Sequence, residues 1–181
     1  MNVIQTKFKG VLIIEPRVHE DNRGFFMESY NKKTFEDNKI EYLFIQDNLS
    51  CSKEVGTLRG LHYQLNPKAQ TKLITVLTGS VFDVVVDIRK SSVTFGQWIA
   101  VTLSADNKRQ LIVPKGFAHG FCTLEPNTRL FYKVDELYSA EYERGILWND
   151  PAIGIQWPTS TPILSVKDQN QPLLGEVETY Y

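Results

Sequence analysis

The stretch Lys72-Leu73-Ile74-Thr75-Val76-Leu77-Thr78-Gly79-Ser80-Val81-Phe82-Asp83-Val84-Val85-Val86-Asp87-Ile88 decides the reading of the fold. It holds two runs rich in apolar and β-branched residues, split at Thr78-Gly79-Ser80, where a glycine lets the backbone turn sharply. In the second run Phe82, Val84, Val86 and Ile88 alternate with Val81, Asp83, Val85 and Asp87, the period of two that separates the faces of a strand. The stretch reads as two strands joined in a tight hairpin, with one face of the second strand in a core.

Similar short runs of Val, Ile, Phe and Tyr recur along the chain between Gly, Asn, Asp and Pro, and no long segment keeps a 3.6-residue period. The pattern predicts strands over 11–15, 25–30, 42–46, 57–64, 72–77, 81–88, 98–103, 110–113 and 128–134. A short helix is expected over 32–38, and 149–158, with two prolines, reads as an irregular segment crossing the surface. Many short strands without a helical layer point to an all-β sandwich, jelly roll or barrel.

The 181 residues suit one domain, 1–181, and 42% hydrophobic residues are enough for a real core. With 20 basic against 21 acidic side chains and no basic cluster, the chain offers nucleic acid no electrostatic footprint. Its apolar runs are broken by charge within a few residues and the first residues lack a signal-peptide core, so neither membrane insertion nor export is expected. Cys51 and Cys122 allow one bridge at most and form no Cys-x-x-Cys pattern, which fits a reducing cytoplasm.

The three histidines, His19, His62 and His119, are scattered, so no metal-ligand grouping is evident. Pro114-Lys115-Gly116-Phe117-Ala118-His119 matches the Pro-x-Gly-x-x-His part of the second cupin motif, while the first cupin motif is missing. It reads equally as a turn followed by a buried strand with a hydrogen-bonded histidine. Arg59-Gly60-Leu61-His62 places a cation and an imidazole in a strand expected to be buried, and such groups need a partner or a ligand. Strict alternation sends Arg59 and His62 to opposite faces; a bulge at Gly60 aims both inward. Lys72 shares a face with Ile74 and Val76, and Tyr132 with Leu130 and Val134, so each is either a cavity group or an ordinary snorkelling or core side chain.

Almost the whole chain resembles the dTDP-4-dehydrorhamnose 3,5-epimerase family. The resemblance runs through Asp21-Asn22-Arg23-Gly24-Phe25-Phe26-Met27-Glu28, Gln46-Asp47-Asn48-Leu49-Ser50, residues 58–64, Gln70-Thr71-Lys72-Leu73, Thr94-Phe95-Gly96, residues 116–121, Tyr132-Lys133 and Leu164-Ser165-Val166-Lys167-Asp168, in the family's order. It implies a cupin-type jelly-roll β-barrel with short peripheral helices, acting on a dTDP-4-keto-6-deoxyhexose without metal or other cofactor.

The resemblance further implies that His62 is the general base, supported by Asp168, that Tyr132 is the general acid on the other face of the sugar, and that Lys72 stabilises the enolate oxygen. Arg59 is expected to meet the diphosphate, and Arg23, Phe26, Glu28, Gln46 and Asn48 to hold the base and phosphates, some from the partner subunit of a homodimer; His119 is placed in or beside the pocket. A monoepimerase of a related deoxysugar, a metal-dependent cupin and a non-catalytic nucleotide-sugar binding module are the competing readings.

Overall fold

A computed structural model describes residues 1–180. In chain order the strands are β1 (Asn2–Gln5), β2 (Leu12–Glu15), β3 (Val18–Asp21), β4 (Gly24–Met27), β5 (Gln46–Ser52), β6 (Leu58–Gln64), β7 (Lys72–Thr78), β8 (Ser80–Asp87), β9 (Trp98–Ser104), β10 (Gln110–Val113), β11 (Phe117–Thr123), β12 (Thr128–Val134) and β13 (Glu143–Gly145). Two short helices, α1 (Lys32–Asp37) and α2 (Val166–Gln169), and one 3₁₀ turn at Leu174–Glu176 complete the regular structure.

The strands form a six-stranded sheet ordered β1-β2-β10-β7-β12-β5, a five-stranded sheet ordered β13-β6-β11-β8-β9, and a separate ribbon of β3 and β4. Neighbouring strands are antiparallel throughout. The two large sheets pack face to face as a jelly roll of the cupin type. Between them lie Phe8, Ile74, Val76, Val81, Val85, Leu111, Phe117 and Leu130. Each such side chain contributes about 1.5–3 kcal/mol by leaving water.

The corner at Gly79 corrects the hairpin reading. β7 pairs with β10 and β12, whereas β8 pairs with β11 and β9, so Thr78-Gly79-Ser80 carries the chain from one sheet to the other. Gly79 has φ +76°, and a Cβ there would fall on Thr128. A sharp reversal is legible in the sequence, but its hydrogen-bonding partners are not. β8 also has two buried faces where one was expected. Val81, Asp83 and Val85 face the inter-sheet core, while Val84, Val86 and Ile88 face Ile146, Ile153, Ile155 and Leu174. The irregular segment 149–158 thus crosses the back of the five-stranded sheet and seals it.

Two other expectations shift. Residues 42–45 form no ladder, because Tyr42 and Phe44 pack in the aromatic group around Tyr30 and Phe35 of α1, and pairing starts at the polar strand β5. The strand expected over 25–30 ends at Met27 and pairs only with β3. β1, β3 and β13 were not anticipated, being short and in part polar, and β11 occupies the segment read either as a cupin motif or as a turn and buried strand.

Candidate active site

A cavity of about 450 Å³ opens between the two large sheets. β6 supplies Arg59 and His62 to its wall, β11 supplies His119 and Phe121, and the facing sheet supplies Lys72 from β7 and Leu130 and Tyr132 from β12. α2 closes one side with Asp168, and β13 adds Glu143.

Arg59 and His62 reach the same cavity because β6 gains a residue against β11. His119 stands opposite His62 and Phe121 opposite Arg59, so three steps on β6 match two on β11. This is the bulge expected at Gly60. Gly60 has φ +133°, and a Cβ there would lie 2.5 Å from the Cα of Gly120. Only glycine fits so close a backbone approach.

His62 Nε2 lies 2.6 Å from Asp168 Oδ1. Asp168 is 3% exposed. Its backbone N–H is accepted by Ser165 Oγ, the N-cap of α2, at 3.1 Å. Burial works to raise the Asp168 carboxyl pKa, but hydrogen bonding and charge from His62, with Ser165 and the Gly60 N–H, outweigh it and hold the pKa below its ordinary value. An ionised carboxylate only accepts, so the proton between them belongs to Nε2 and Nδ1 keeps a lone pair.

Lys72 Nζ donates to the His62 carbonyl oxygen at 3.3 Å, bridging the two sheets. Burial pushes its ammonium down to about 8, against the attraction of Asp83 and Glu143. Burial raises the Tyr132 phenol above its ordinary value, Glu143 adds to this and Arg59 opposes it. His119 Nε2 meets Asp83 Oδ1 at 2.8 Å and Oδ2 at 3.0 Å, and burial lowers its pKa despite that carboxylate. Among the described residues Arg59 has only uncharged partners, Ser52 Oγ from Nε and the Cys51 carbonyl from Nη2, which leaves its charge available to an anion.

Five expected positions lie outside this wall. Gln46 and Asn48 share the face of β5 that presents Ser50 to the cavity, and Gln46 Nε2 donates to Asn48 Oδ1 at 2.9 Å. Arg23, Phe26 and Glu28 belong to the β3–β4 region and do not line the cavity of their own chain; Phe26 is 67% exposed and Arg23 pairs with Asp21. Asp83 and Glu143 escaped the sequence reading. For Asp83 the signal was an acid flanked by Val81 and Val85 on one strand face; Glu143, in a polar segment, gave none. Among the described residues, no group of three or more His, Cys, Asp or Glu side chains is gathered as a metal site.

A profile of the family described as dTDP-4-dehydrorhamnose 3,5-epimerase matches residues 5–176. The chain belongs to that family. The dTDP-4-dehydrorhamnose 3,5-epimerase of Shigella flexneri is 58% identical over 173 residues, 94% of each chain. The crystal structure of the Bacillus anthracis epimerase with TDP and PPi bound superposes with a TM-score of 0.93 at 59% identity, covering 95% of this chain and 98% of that one. The Legionella pneumophila epimerase in complex with dTDP-4-keto-L-rhamnose gives a TM-score of 0.94 at 46% identity, covering 99% and 98%. In this epimerase family member, the base candidate and the acid candidate therefore occupy facing sheets of one cavity.

Proposed function

We propose that the chain inverts C3 and C5 of dTDP-4-dehydro-6-deoxy-D-glucose, giving the L-rhamnose configuration. The observation that carries this reading is the placement of His62, backed by Asp168, on the five-stranded sheet and of Tyr132 on the six-stranded sheet, with Lys72 reaching between them. A proton on a carbon beside the 4-keto group moves to His62 Nδ1, and the C–H electron pair passes into an enolate. Lys72 stabilises the negative oxygen, since a preorganised cation meets the charge where it develops. Tyr132 delivers a proton to the opposite face, which inverts the carbon. Solvent returns a proton to the phenolate and removes one from the imidazolium, and the second carbon follows the same course. The net change is one proton for another, so no redox partner enters the balance.

Arg59 binds the diphosphate, and Gln46 and Asn48 line the approach to it. Arg23, Phe26 and Glu28 act in the cavity of a second copy, in a homodimer. Their exposure and their absence from the lining of their own chain's cavity support that assignment. Among the described residues no helix is long and apolar enough to cross a membrane. The free thiols of Cys51 and Cys122 suit a reducing compartment, and we assign the enzyme to the cytoplasm on that ground.

The test is NMR of the purified protein with this sugar nucleotide in deuterated water. Deuterium at both C3 and C5 with inverted product is expected. Exchange at one carbon alone replaces the reading with monoepimerisation, and no exchange at either removes it.

A further inference from the structure

The cavity holds two carboxylate–imidazole pairs, and the mechanism above uses one. His62 and His119 are direct cross-strand neighbours on β6 and β11, so both rings face the same space. Behind His119 lies Asp83, on β8. Phe121 is opposite Asp83 and Val85 opposite His119, which makes Asp83 and His119 diagonal neighbours on one sheet face. Asp83 is 0% exposed and His119 7%. Both Asp83 oxygens are within hydrogen-bond distance of His119 Nε2 and of no other donor among the described residues.

A buried carboxylate with a single partner fixes that partner. We infer that Asp83 is a positioning residue that holds the His119 proton on Nε2, so that Nδ1 meets the cavity as a hydrogen-bond acceptor for a sugar hydroxyl. The inference deepens the epimerase reading and rests on it for the identity of the ligand. It divides the polar work of the cavity. Lys72 has only donors and suits the keto oxygen, while a neutral imidazole offering a lone pair suits the hydroxyl of the same ring.

The two histidines also differ in what protonation would cost. The His62 side chain is 30% exposed and water can share its charge, whereas that of His119 is 8% exposed. Burial disfavours a second proton on His119, and the nearby Lys72 and His62 disfavour it further, against the pull of Asp83. His119 therefore stays neutral while His62 cycles through its charged form. The inequality between two similar pairs assigns proton abstraction to one and recognition to the other.

The test uses ¹⁵N-histidine-labelled full-length protein at neutral pH, observed by two-bond ¹H–¹⁵N correlation, which reports the protonated ring nitrogen without turnover. Wild-type His119 is expected as the Nε2–H tautomer; an Nδ1–H tautomer or a doubly protonated ring overturns the inference. In Asp83→Asn, a near-isosteric change, the Nδ1–H form should appear. kcat/KM for the 4-keto sugar nucleotide should fall about tenfold, the scale of one buried hydrogen bond, while affinity for dTDP, which lacks the hexose, stays unchanged. An unchanged tautomer with unchanged kcat/KM, or an equal loss of dTDP affinity, sinks it. If the wild type shows the expected tautomer but no exchange into the sugar, the epimerase reading fails and the positioning of His119 stands.

Discussion

Asp168 accepts the Nε2–H of His62 across 2.6 Å, although 106 positions separate the two in the chain. The pair fixes which imidazole nitrogen is basic. Asp168→Asn keeps the shape and can present an amide N–H to Nε2, turning the basic nitrogen away from the substrate. The expected result is a loss of about 10²- to 10⁴-fold in deuterium wash-in, the span a positioned base normally supplies. Binding of dTDP should be retained, and a variant that exchanges at the wild-type rate would show that Asp168 only anchors α2.

Lys72 couples activity and stability to pH in opposite directions. Its proton leaves the folded protein at about 8, against 10.5 ordinarily. As pH rises through about 8 the ammonium is lost and epimerisation should fall. Between those values the unfolded chain binds more protons than the folded one, so stability should rise with pH over the same interval. Lys72→Met is expected to lower kcat by about 10²- to 10³-fold and raise the melting temperature at neutral pH. A melting temperature that drops would show that the buried ammonium is better satisfied than its surroundings indicate.

Tyr132→Phe should separate exchange from inversion. His62 can still form the enolate and return a deuteron to the face it left, so recovered substrate gains deuterium while inverted product declines. Equal loss of both would place Tyr132 ahead of enolate formation; loss of neither would make it a packing residue.

Gly60→Ala tests the bulge that brings Arg59 and His62 together. The new Cβ meets backbone on β11 at a φ of +133°. Destabilisation of about 3 kcal/mol or more is expected from combined strain and overpacking, read from urea midpoints. A midpoint close to wild type would mean that the two strands can part without cost.

The proposed homodimer can be tested by mixing two variants expected to be inactive. If Arg23 serves the partner's cavity, Arg23→Ala and His62→Ala homodimers that exchange subunits should regain activity, with about one site in four intact. No recovery after proven exchange would return Arg23 to its own chain.

Much of this architecture was legible before any coordinates. The period of two identifies β8 as a strand but not its second buried face, the shared face of Lys72 and Ile74 allows a cavity group, and the glycine beside a strand cation points to the bulge that β6 carries. What stayed hidden were pairings between distant segments. Nothing local tells that Thr78-Gly79-Ser80 changes sheets, since a turn looks the same whether its strands pair with each other or with others. Nothing in 166–169 tells, apart from the family resemblance, that its short helix docks on β6. Asp83 stayed hidden because the alternation in β8 marks one face as core without saying which, and the inter-sheet face is the one that carries it.

The link between His62 and Asp168 also has a meaning for the order in which the protein is made. β6, β7 and β12 carry His62, Lys72 and Tyr132, and all three are synthesised before Ser165 is added. A nascent chain halted there already possesses the imidazole, the ammonium and the phenol, yet no carboxylate to turn the imidazole. On the proposed mechanism, enolate chemistry waits for the segment that also carries Leu174 onto the back of the five-stranded sheet, so translation completes that seal and orients the proposed base together.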